Sequence, residues 1–96
     1  PTLAGASAAV DNTQINPDLT YNPINAPGAD SYPITSPTWI ILYATQSDAG
    51  KVLAQQCWLN FLLTDGQGFA ESVDFAPLPS SLQSQAVEQL TKITAG

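Results

Sequence analysis

Between Pro37 and Thr45 runs Thr38-Trp39-Ile40-Ile41-Leu42-Tyr43-Ala44, rich in β-branched and aromatic residues and halted upstream by a proline. The pattern predicts a strand, but not a half-exposed one. Trp39, Ile41 and Tyr43 face one way, while Ile40, Leu42 and Ala44 face the other. A strand apolar on both faces is normally a central one, with layers above and below it. Its backbone also needs hydrogen-bonding partners along two edges. Whatever this chain folds into must meet that demand.

The rest of the sequence offers few strands. Six of the eight prolines (Pro1, Pro17, Pro23, Pro27, Pro33 and Pro37) lie at or before residue 37, interleaved with Asn, Thr, Ser and Gly. Proline fixes φ and pushes its predecessor toward extended geometry. Residues 1–30 therefore read as a Pro/Asn-rich extended connecting segment, with 11–31 non-helical and a turn at Pro27-Gly28. Residues 3–10 carry the composition of a helix tail. Ser31–Ile34 is the sole candidate for a short second strand.

Residues 31–96 read as the strand–helix–helix part of an α/β lobe. Ser47 or Asp48 can cap a helix running to about Thr64, with Gly66 just past its end. At the helical repeat, Ala49, Val52, Leu53, Leu59 and Leu63 form one apolar face, with Cys57 on its flank. Trp58 and Leu62 lie nearly opposite, so the C-terminal half is apolar almost all round and calls for neighbours on two sides. Gly66–Val73 predicts a helical turn anchored by Phe69. Asp74-Phe75-Ala76-Pro77-Leu78-Pro79 predicts an extended connector. Ser80 then opens a last helix, with Gln83 giving a capping-box pattern and Leu82, Ala86, Leu90 and Ile93 forming its stripe. One strand cannot close a sheet. Either several copies assemble, or the neighbouring strands lie on other chain.

Charge narrows the function. Only 10% of residues are charged against about 25% in an average domain. Eight carboxylates face two lysines, giving a net charge of −6. That balance excludes a basic footprint for nucleic acid or anionic lipid. No apolar run approaches the roughly 20 residues of a membrane span. The chain contains no Met, so Pro1 reads as the start of a processed product or a fragment, from which a signal peptide has been removed if there was one.

Catalytic chemistry finds little to use. There is no His, which removes the commonest general base and zinc ligand. Cys57 is the only cysteine, so it reads as a small core hydrophobe rather than a nucleophile or a disulfide partner. Asp74 with Glu71 is the one carboxylate pair worth weighing for acid–base work, and solvated or capping roles account for both. Gly66-Gln67-Gly68 lacks the preceding strand and following Lys-Ser/Thr of a phosphate loop. Thr35, Ser36 and Thr38 are hydroxyls that satisfy a turn around Pro37 more readily than they hold an anion. Trp39, Tyr43 and Trp58 read as core or interface aromatics. No catalytic, ligand-binding or metal residue is assigned, and no cofactor is expected.

From Asp30-Ser31-Tyr32-Pro33-Ile34-Thr35-Ser36-Pro37 through Tyr43, the sequence resembles the C-terminal region of the periplasmic phosphate-binding proteins of ABC transporters. The resemblance continues through Leu59-Asn60-Phe61-Leu62-Leu63-Thr64-Asp65-Gly66-Gln67. It extends through Val73-Asp74-Phe75-Ala76-Pro77-Leu78-Pro79-Ser80-Ser81, with order and spacing agreeing from about residue 30 to 93. It implies an α/β architecture, a partial lobe of a type II periplasmic-binding-protein fold with central strand and covering helices. It also implies a non-enzymatic role in phosphate import, a periplasmic or extracellular location (with a lipid anchor on an absent N-terminus as one form), and an ABC permease as partner. The family's anion-holding elements are a Thr-Phe turn, a Ser, a buried Asp, and an Arg with a Ser-Gly-Thr loop. None is matched here, so inorganic phosphate is expected to bind only with the remainder of such a protein. The alternative is a self-assembling, non-catalytic interaction module that forms a homo-oligomer, with Trp58 and Leu62 at its interface.

Overall fold

The computed structural model describes all residues, 1–96, as a small mixed α/β arrangement. Helix α1 spans Leu3–Asp11, strand β1 Thr45–Gln46, helix α2 Ala49–Leu63, helix α3 Ser80–Gln89 and strand β2 Thr94–Ala95, with 3-10 stretches at Asp65–Val73 and Leu90–Lys92. The two strands form a parallel pair, Thr45 opposite Thr94 and Gln46 opposite Ala95.

Helix α1 has its own start. The Thr2 hydroxyl accepts from the Gly5 amide at 2.9 Å, closing an N-cap over the first turn. Residues 1–30, read from sequence as an extended connection, thus contain a helix and fold back on it. The Tyr32 amide donates to the Gly5 carbonyl, and the Asn12 side chain donates to Ser31 Oγ. Gly5 permits this approach, because a Cβ there would lie 3.2 Å from both Thr2 Oγ1 and Tyr32 Cβ. Ala9, Val10 and Pro23 are buried beneath the fold-back. Asn25 and Gly28 take left-handed φ values of 54° and 109°. These bends put Ser31–Ile34 into turn geometry, so the second strand anticipated there does not form.

Helix α2 begins where its cap dictates. Asp48 accepts from the Lys51 amide at 3.1 Å, making Asp48 rather than Ser47 the N-cap. Gly66 does stand at its end, where a Cβ would lie 2.9 Å from the Phe61 carbonyl oxygen. The 3-10 stretch ends at Asp74, whose φ of 63° is left-handed. Its amide bonds back to Glu71 while that of Phe75 reaches Ala70, a Schellman-type closure. Phe69 is exposed and does not anchor this stretch.

Helix α3 starts after Pro79 without a side-chain cap. The expected capping box is absent because Gln83 turns its amide to the Leu78 carbonyl at 2.7 Å instead. The stripe expected from sequence is present, with Leu82 and Ile93 buried and Ala86 and Leu90 half-buried. It outlasts the α-helix, which tightens at Leu90 and releases Ile93 into extended geometry leading to β2.

The core is small. Val52 and Leu59 from α2 meet Ile93, with Leu62 and Leu90 packed against them. Only eight of 96 residues are buried, so glutamine side chains do much of the joining. Gln56 ties α2 to the carbonyls of Leu90 and Ile93, and Gln46 donates to Gln55 at 2.7 Å. Gln67 donates to Leu62 and accepts from the Leu78 amide, and Gln89 reaches Pro17.

The molecule is open for its mass. Its radius of gyration is 14.6 Å, against about 12.5 Å for a compact chain of this length. It exposes 6544 Å², roughly 1,200 Å² more than expected of a folded 10.1 kDa monomer.

Candidate functional site

The longest run of exposed large apolar residues, Trp39 to Tyr43, lies where the sequence placed a central strand. Residues 36–43 belong to no helix or strand and make no backbone–backbone hydrogen bond. Pairing begins only at Ala44, whose carbonyl accepts from the Thr94 amide at 2.7 Å, and continues where Gln46 accepts from Gly96. The strand expected over Thr38–Ala44 is therefore not formed, and Thr38–Tyr43 stay unpaired. The physical reason is topological. In register with β2, the residues that would lie beside 38–43 fall in α3 and the 3-10 turn that follows it, and helical backbone has no amides to spare. Both faces are exposed: Ile41 is 90% accessible and Tyr43 85%, while Ile40 and Leu42 on the other face are also open. Trp39 makes one contact of note, edge-on to Tyr21 at 5.2 Å between ring centroids. Burial under that contact raises the Tyr21 phenol above its ordinary pKa.

A second apolar surface lies on α2. Val52 and Leu59 turn inward, whereas Leu53, Ala54, Cys57, Trp58 and Phe61 are exposed along one flank. Trp58 and Phe61 stack with centroids 6.0 Å apart. Cys57, expected in the core, is exposed. The helical repeat explains the difference, since Cys57 and Leu53 lie on the edge facing away from Ile93. Two-sided apolarity of this helix was legible in the sequence. Which of the two sides would be covered was not.

The other candidate residues are not brought into a chemical constellation. Asp74 closes the 3-10 stretch through its backbone and its side chain is exposed, as is that of Glu71. Thr35 donates to the Tyr32 carbonyl at 2.8 Å, closing a bend around Pro33 and Ile34 rather than the turn expected around Pro37. Ser36 and Thr38 are exposed. No group of three or more His, Cys, Asp or Glu side chains is placed to hold a metal ion. No helix is long and apolar enough to cross a membrane.

A hollow of about 520 Å³ is open to solvent between the end of α1 and the fold-back. Asn12, Asn16, Thr20, Asn22 and Asn25 line it, and no carboxylate or lysine does. Beside it, the Asp18 carboxylate accepts from both the hydroxyl and the amide of Thr20, which holds its pKa below the ordinary value. Sequence reasoning passed over this turn. Its signal was the Asn-Pro-Asp-Leu-Thr run, an Asx-turn pattern.

Compared with protein-family models, curated proteins and solved structures, the chain gives no significant match.

Proposed function

We propose that this chain is the C-terminal structural segment of an extracytoplasmic phosphate-binding protein that serves ABC-type import. Its task is scaffolding. It contributes a strand and covering helices to one α/β lobe, while phosphate is gripped by residues outside these ninety-six. The observation that carries the reading is the free segment Thr38–Ala44, apolar on both faces and unpaired on both edges along most of its length. Such a segment is what a central strand looks like without its neighbours. The exposed flank of α2 fits a helix with a second layer to meet. The order of extended segment, α2, Pro77-Leu78-Pro79 connector and α3 agrees with the family resemblance over residues 30–93. On this reading the protein is not an enzyme, works in the periplasm or outside the cell, and meets an ABC permease as part of the complete binding protein.

The charge set supports placing the phosphate site outside this chain. With two lysines, no arginine and eight carboxylates, this chain has no cluster of donors able to replace the hydration of an anion. Titration calorimetry of the 96-residue chain with inorganic phosphate tests the point. No saturable heat is expected. Micromolar binding by this chain alone would overturn the assignment of the site to other residues. An independent check is the sequence context. A gene that encodes these residues downstream of an Arg and a Ser-Gly-Thr loop supports the reading, and one that encodes them alone opposes it.

A further inference from the structure

We propose that the 96-residue chain, in the absence of other strands, forms a twofold-symmetric dimer by antiparallel pairing of Thr38–Ala44 with the same segment of a second copy. The inference does not rest on the phosphate reading, because lobe strands and a second copy would compete for the same edge.

The segment is self-complementary about its centre. Read outward from Ile41, Trp39-Ile40-Ile41-Leu42-Tyr43 is aliphatic and then aromatic in both directions. An antiparallel pair with Ile41 opposite its own copy sets Trp39 across from Tyr43 on one face and Ile40 across from Leu42 on the other. Aromatic thus meets aromatic, and aliphatic meets aliphatic. These cross-strand pairs stabilise an antiparallel ladder, and the arrangement is the isologous contact that a twofold dimer requires. A parallel pairing in register would need a translated copy and would not close.

Three further observations favour a second copy. Residues 36–43 make no backbone–backbone hydrogen bond within the chain, so their amides and carbonyls are open to pairing, apart from the Tyr43 carbonyl, which accepts from the Gln46 side chain. No charged residue lies between Asp30 and Asp48, so the edge lacks the lysines and carboxylates that ordinarily deter such pairing. All five side chains of Trp39–Tyr43 are exposed, so both faces of the segment are open to a second copy.

Sedimentation equilibrium of the full 96-residue chain, with hydrogen exchange at two concentrations, tests the proposal. The expected species has twice the 10.1 kDa chain mass, and the amides of Ile40–Leu42 gain protection as concentration rises. Ile41→Lys would place two ammonium groups across the twofold and return the chain to monomer. Ile41 is 90% exposed, so circular dichroism should remain that of the parent. Leu53→Lys, on the outward flank of α2, should leave the dimer intact. A monomer up to sub-millimolar concentration would overturn the proposal. So would a dimer that survives Ile41→Lys and is lost in Leu53→Lys. Neither result bears on phosphate titration, so the two readings fail separately.

Discussion

The side-chain amide of Gln56 donates to the carbonyl oxygen of Ile93 at 2.9 Å, and the same nitrogen reaches the Leu90 carbonyl at 3.1 Å. These two carbonyls sit where α3 has stopped and β2 has not begun: that of Leu90 accepts only the Ile93 amide of the 3-10 turn, and that of Ile93 has no helical or sheet partner. Gln56 therefore substitutes for backbone at a junction, and it holds Ile93 in the small core beside Val52 and Leu59. Replacing it with Leu keeps the bulk and removes the donor, leaving the Ile93 carbonyl without its partner and the Leu90 carbonyl with its turn bond alone. The expected cost is about 1–3 kcal/mol, read as a lower urea midpoint with the slope unchanged. A variant as stable as the parent would mean that water serves these carbonyls equally well.

The core is small, so its few buried side chains should be unequal to the many exposed ones. Leu82 is 3% exposed on the inward side of α3, and Leu53 is 63% exposed on the outward side of α2. Leu82→Ala should cost about 2–5 kcal/mol through lost burial and an unfilled cavity. Leu53→Ala should change stability by less than about 0.5 kcal/mol. Equal costs in chemical denaturation would show that the outward flank of α2 is covered in solution.

Asp48 caps α2, and its carboxylate also lies near the positive end of the helix dipole. Asp48→Ala should destabilise the chain by about 0.5–2 kcal/mol, with Asp48→Asn recovering most of the loss because the amide oxygen still accepts from Lys51. If neither variant moves the thermal midpoint, the first turn of α2 frays in solution and the cap carries no weight.

How far the sequence could be read differs by element. Helix α2 was legible because Asp48 and Gly66 bracket a long apolar repeat, and the stripe of Leu82 to Ile93 was legible from its spacing. The chemistry of Thr38–Ala44 was legible too, including its unmet need for neighbours. Its state was not, since pairing depends on what lies beside it rather than on the residues themselves. Cys57 shows the same limit, because periodicity places it on an edge and only the position of Ile93 decides which edge is buried. The fold-back of residues 12–33 on α1 was hidden because it depends on single tertiary bonds, such as Tyr32 to Gly5, that leave no periodic trace. The glutamine ties were missed for a related reason. A Gln on a helix reads as solvated surface, and nothing in its neighbours marks it as reaching a carbonyl more than thirty residues away.

The pH response of the Asp18 turn follows from its hydrogen bonds. Thr20 donates to the Asp18 carboxylate from its hydroxyl at 2.6 Å and from its amide at 3.0 Å, and the hydroxyl bond is the larger cause of the lowered pKa. Both bonds favour the ionised form. A group whose folded pKa lies below its unfolded value contributes stability above the unfolded value and loses it as pH falls through the folded one. The turn should therefore hold at neutral pH and loosen only in acid, below the ordinary Asp range. Asp18 is fully exposed, so the effect on global stability is screened and the local titration is the quantity to follow. Carbon NMR of the Asp18 carboxyl should give a midpoint below the ordinary value of an aspartate. Thr20→Val, which removes the hydroxyl and keeps the amide, should raise it toward the ordinary value. The same turn holds Leu19 at a φ of 68°, a conformation that a leucine adopts only when its surroundings impose it. An ordinary Asp18 midpoint in the parent would show that the turn is not formed in solution, and Leu19 would then relax to a negative φ.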